Sequence, residues 1–116
     1  MRVTVAWWDL ADSQQTVDSL EQDLRDGSVE PWREVEGLRL KLWIADRERG
    51  RWGAVMWWDS AAAAEQPLPP NRAAELIGYA PEHRVGFDVA AVAEGIDLSG
   101  PAFSALPPAP ARAPEH

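Results

Sequence analysis

The chain has a single lysine, Lys41, placed among alternating apolar residues in Leu38-Arg39-Leu40-Lys41-Leu42-Trp43-Ile44. An amine moved from water into apolar surroundings holds its proton less tightly, which makes Lys41 a candidate general base or anion holder. A solvated lysine marking an edge strand is the plainer use of the same residue. Arg39 and Arg84 also fall in alternating segments, where either could clamp a carboxylate or phenolate oxygen. An ion pair with Asp88 is the competing role. His83 precedes the last alternating segment and is the only histidine before the C-terminal stretch, so it is the natural proton carrier. Tyr79 could donate a hydrogen bond to a phenolate or peroxy oxygen. Asn71 could polarise a carbonyl, although a helix N-cap is its simplest role.

The second chemical feature is tryptophan. Seven of the ten aromatic residues in 116 are Trp, more than a small core requires. Trp8, Trp43, Trp52 and Trp58, with Met56 among them, could stack against a flat aromatic or polycyclic ligand, or pack between subunits. Trp7 and Trp57 are expected in the core and Trp32 in a loop.

Composition removes several classes of chemistry. Without cysteine there are no disulfides, thiolate metal sites or Cys nucleophiles, and two histidines cannot build a His-rich metal centre. No Gly-rich dinucleotide fingerprint is present. The net charge of −8 argues against nucleic acid as a partner. No apolar run is long enough for a membrane helix, and residues 3–8 are too short for a signal core, so a cytoplasmic location is expected. Charge is uneven: nine carboxylates face only Arg25 and Arg33 in residues 9–36, whereas 39–51 carry five cations against Asp46 and Glu48. Such runs are usually solvated faces, and here they could also help subunits recognise each other.

These residues need elements to position them. Length suits one domain, read as residues 1–97, followed by a Pro/Ala-rich tail at 98–116 that is mobile or extended. Arg2–Trp8 alternates and predicts a strand. Asp12 or Ser13 is expected to cap a helix carrying Val17, Leu20 and Leu24 and stopping at Gly27. Residues 38–45 and 52–58 predict two strands joined by a hairpin loop at Asp46–Arg51. Ser60 caps a short Ala-rich turn, Asn71 caps a helical piece ending at Gly78, and Arg84–Ala93 predicts the last strand.

The order is β-α-β-β-α-β, an α+β ferredoxin-like unit with a four-stranded antiparallel-type sheet and helices on one face. Val5-Ala6-Trp7-Trp8-Asp9 recurs as Val55-Met56-Trp57-Trp58-Asp59. The first and third strands are expected side by side and parallel, bringing the Trp pairs together. Alternation then sorts the strands into two faces. Val3, Val5, Trp7, Leu38, Leu40, Leu42, Ile44, Val55, Trp57, Val85, Phe87 and Val89 form an apolar face expected beneath the helices. Thr4, Ala6, Trp8, Arg39, Lys41, Trp43, Trp52, Ala54, Met56, Trp58, Arg84, Gly86 and Asp88 form the other, expected open to a second subunit or a ligand.

The stretches LRLKLWIAD, RWGAVMWWDS and PLPPNRAAELIGYAPEHRVGFDV resemble the YdhR-like monooxygenase family of the dimeric α/β-barrel superfamily. The resemblance covers about residues 2–96. It implies a homodimer of ferredoxin-like sheets and a cofactor-independent monooxygenase, with O₂ as co-substrate, acting on a hydrophobic aromatic or polyketide-like small molecule. The same superfamily makes a cofactor-free cyclase or isomerase the alternative, and a non-catalytic binding dimer is a third reading. Lys41, Arg84, His83 and Tyr79 are then the catalytic candidates. Trp8, Arg39, Trp43, Trp52, Met56, Trp58, Asn71 and Asp88 are the substrate-binding candidates. Asn71, Trp58 and His83 match the residue types of haem-degrading relatives without matching a motif, and haem is not expected.

Overall fold

In the computed structural model, residues 1–95 are described. They form an α+β fold in which four antiparallel strands, β1 (Arg2–Asp9), β2 (Leu38–Asp46), β3 (Arg51–Trp58) and β4 (His83–Asp88), stand in the order β2-β3-β1-β4. Helices α1 (Val17–Asp23), α2 (Ala61–Ala64) and α3 (Arg72–Ile77) are short. A π turn at Leu24–Ser28 and a 3-10 turn at Glu30–Glu34 extend α1 towards β2. The arrangement is compatible with a ferredoxin-like unit. The stretch 98–116, read from sequence as a tail, lies outside the described residues.

Local chemistry explains most boundaries. Ser60 accepts from the Ala63 amide, and Asn71 from the Ala74 amide, so both expected N-caps are in place. Gly78 ends α3 in the left-handed region. The start of α1 lies further along than expected. Thr16 and Ser19 form a reciprocal capping box, each side chain bonding the other's backbone N–H at 3.1 and 2.9 Å. Asp12 instead closes a 3-10 turn, and Ser13 donates its hydroxyl to the Ile77 carbonyl at 3.1 Å, tying this entry to α3. β4 stops at Asp88, short of the expected Ala93.

Two expectations are corrected. First, β1 and β3 pair antiparallel, with Trp8 opposite Trp52 and Arg2 opposite Trp58. The Trp pairs therefore lie at opposite ends of the central ladder, because the β2–β3 hairpin reverses the chain before β3 joins β1.

Second, the two faces are exchanged. The helices cover Trp8, Trp52 and Trp58, which are all buried; α1 supplies Val17 and Leu20, the π turn after it Leu24, and α3 Ile77 to the cluster around Trp8 and Trp52. The apolar face expected beneath them is open, leaving Leu42, Ile44, Val85 and Phe87 exposed. Alternation assigns residues to a shared face without saying which face a helix crosses; the handedness of the crossover decides that. Burying the indoles also removes the larger apolar area, and the polar edges of Trp8 and Trp58 are satisfied. Trp8 Nε1 donates to the Tyr79 carbonyl at 2.7 Å, and Trp58 Nε1 to Thr4 Oγ1 at 3.3 Å.

A bulge between Leu38 and Leu40 adds a further exception. Leu38 aligns with Trp58 on the helix side, while Leu40 aligns with Trp57 on the open side. The extra residue, Arg39, swings over the Trp57 ring, 4.8 Å from its centroid, instead of lying beside Lys41.

Candidate functional site

Between the sheet and the α1 side of the molecule lies a narrow cleft of about 20 Å³, lined by Lys41, Trp43 and Trp52 from the strands. Leu20, Asp23, Leu24, Ser28 and Trp32 approach from α1 and the turns after it, and Asn71, Arg72 and Ala73 from α3. That volume holds a water molecule or two. A larger ligand requires the turn segment carrying Trp32 to shift.

Lys41 is the chemical centre of this cleft. Its Nζ lies 3.2 Å from the Trp32 ring centroid and 4.6 Å from that of Trp43. Burial alone pushes the amine down from 10.5 to about 7. The indole faces act in the opposite sense by attracting the ammonium form. The cleft's carboxylate does not neutralise Lys41, because Asp23 is committed elsewhere. It accepts from Ser28 Oγ at 2.6 Å and from Arg72 Nε at 3.4 Å. Arg72 also reaches Glu75 at 3.2 Å, so it bridges α1 and α3 at the cleft.

Among the sequence candidates, the cleft gathers Lys41, Trp43, Trp52 and Asn71. Asn71 uses its side-chain oxygen to cap α3, leaving its amide N–H groups for another partner. The remaining candidates fall elsewhere. Trp8 and Trp58 are buried and do not line the cleft. Met56 is half-buried on the helix side, opposite Lys41 in register. Tyr79 holds the end of β1, its hydroxyl donating to the Asp9 carbonyl at 2.5 Å. Burial, with Glu82 and Asp12 nearby, raises its pKa and keeps it a phenol.

His83 stacks on Trp7 on the open face, with ring centroids 4.6 Å apart. Arg84 is exposed opposite Ala6, and Asp88 pairs with Arg2 at 3.2 Å rather than with Arg84. Arg39 pairs with Asp59 at 3.5 Å. Asn71, Trp58 and His83, the residue types shared with haem-degrading proteins, are not brought together. Sequence reading missed Trp32, Asp23, Ser28 and Arg72. Trp32 stands in Glu-Pro-Trp-Arg-Glu, where no period assigns a direction to its side chain.

Compared with known proteins, the chain matches no family model and no curated sequence.

Proposed function

We propose that this protein is a small homodimeric enzyme of ferredoxin-like architecture that works without a resident cofactor on a flat, ionisable small molecule. Lys41 takes up the proton or steadies the anion, and Trp32, Trp43 and Trp52 hold the ring once the turn carrying Trp32 has shifted to admit it. The observation that supports this most strongly is a lone amine set between indole faces in a cleft, with a pKa lowered to about 7 by burial and the carboxylate on the cleft lining, Asp23, engaged by Arg72. An amine so poised is half neutral near neutral pH, which suits a general base.

Following the resemblance to YdhR-like monooxygenases, a phenolic or polyketide-like substrate, made electron-rich by deprotonation, reacts with O₂ while the protein orients it and excludes water: one oxygen atom bonds to a ring carbon, the other leaves as water, and the substrate itself supplies the electrons and ends as a quinone. A cyclase or isomerase would use the same amine without oxygen. His83, Arg84 and Tyr79 carry no catalytic role in this reading, since none lines the cleft.

Turnover of an electron-rich hydroquinone, followed in air and under argon with the intact chain and Lys41→Met, tests the assignment. Oxygen-dependent product lost in Lys41→Met is expected. Equal turnover under argon would end the monooxygenase reading. Full activity in Lys41→Met would end the role of Lys41.

The homodimer is supported by the open face. Leu42, Ile44, Val85 and Phe87 are exposed there beside half-buried Val3, Val5, Trp7 and Trp57. A second copy would cover this apolar surface.

A further inference from the structure

We propose that Lys41 is also a nucleophile, and that the cleft accepts small aldehydes or ketones by forming an imine at its Nζ. This rests on the reading of the cleft as a substrate site, but it assigns the amine a covalent role and names the carbonyl group as what the site captures.

The argument begins with access. Lys41 lines a cleft rather than sitting sealed in the core, and the cleft has room for a group the size of a carbonyl. An amine attacks only with a free lone pair, and two features favour one here. The indoles of Trp32, Trp43 and Trp52 keep water from it, although their faces also attract the ammonium form, and the Asp23 carboxylate that would fix it as an ammonium is held by Ser28 and Arg72. Burial, which favours the neutral form, acts in the same direction. The site also holds polar groups suited to an oxygen leaving carbon. The Asn71 amide N–H groups, on the same lining, are free of the capping bond made by its oxygen.

The step balances without an oxidant or reductant. Nζ bonds to the carbonyl carbon while the carbonyl oxygen gains a proton, giving a carbinolamine. Loss of that oxygen as water leaves a carbon–nitrogen double bond. One amine and one carbonyl become one imine and one water.

Lys41 is the sole lysine, so trapping is simple to read. The intact protein is incubated at pH 7 with acetaldehyde and cyanoborohydride, and peptide mapping compares ethylation of Lys41 with that of the α-amine of Met1. The same reaction in guanidinium chloride provides the unfolded reference. The expected result is labelling of Lys41 in the folded protein at least equal to that of the α-amine. Its relative reactivity should fall roughly a thousandfold on unfolding, as expected when an amine near 7 returns to its ordinary range. Labelling confined to the α-amine of the folded protein would overturn the proposal. Lys41-dependent hydroquinone turnover could still survive that result, because proton transfer requires no imine; the two failures are therefore distinguishable.

Discussion

Lys41 and Trp32 form the closest cation–aromatic pair in the described chain, with Nζ 3.2 Å from the indole centroid. Trp32 belongs to the 3-10 turn Glu30–Glu34 and Lys41 to the middle of β2. Their contact therefore closes the segment after α1 over the sheet and makes the cleft a property of the fold rather than of one loop.

This geometry predicts a pH-dependent stability. Lys41 is lowered from 10.5 to about 7 in the folded protein, so between those values the unfolded chain binds more protons. Stability should rise as pH increases from about 7 to about 10, and this contribution should be lost again as pH falls through 7. The gain is at most a few kcal/mol, reduced by roughly 0.5–2 kcal/mol of cation–π attraction for the charged form. Urea titrations across that range should show the slope in the natural chain and lose it in Lys41→Met.

Gly53 makes room for Trp7. A Cβ there would meet the Ala6 carbonyl oxygen and lie 2.6 Å from Trp7 Cβ, both in the neighbouring strand. Gly53→Ala should destabilise the protein by about 1–3 kcal/mol, because the central ladder cannot open locally. A denaturation midpoint unchanged from the natural chain would contradict this packing.

Trp8 and Tyr79 hold each other at the end of β1. The Trp8 indole donates to the Tyr79 carbonyl at 2.7 Å, and the Tyr79 hydroxyl to the Asp9 carbonyl at 2.5 Å. Trp8→Phe removes buried ring volume and leaves a carbonyl unpaired. A loss of roughly 2–4 kcal/mol is expected by chemical denaturation.

The open face predicts the assembly. Phe87 is 59% exposed and Leu42 46%, so replacing either by Glu should cost the isolated chain little. Sedimentation at micromolar concentration should give a dimer for the natural chain and a monomer for the double variant Leu42→Glu/Phe87→Glu. A monomeric natural chain would refute the homodimer.

How far the sequence could be read follows from which signals are local. Alternation located all four strands, and Ser60, Asn71 and Gly78 marked helix ends because capping is decided within a few residues. Lys41 could be singled out because one amine in an apolar strand is chemically unusual whichever face it joins. The face itself was not legible, since both sides of this sheet carry large apolar side chains and only the crossover's handedness separates them. Nor was the bulge that moves Arg39 off the Lys41 side, or the partner for Lys41 in a turn without periodicity. The tryptophan surplus divides accordingly: Trp8 and Trp58 pack, Trp43 and Trp52 line the cleft, and Trp32 roofs the amine.

The central claim is that Lys41 is a half-neutral amine at physiological pH, and selective labelling makes it directly observable. With one lysine in the chain, ¹³Cε-lysine gives one side-chain resonance whose shift follows the proton on Nζ. A titration midpoint near 7 in the folded protein, moving into the ordinary lysine range in guanidinium chloride, is the predicted result. A folded-state midpoint at about 10 or above would mean that the amine is an ordinary solvated ammonium, and would contradict the account.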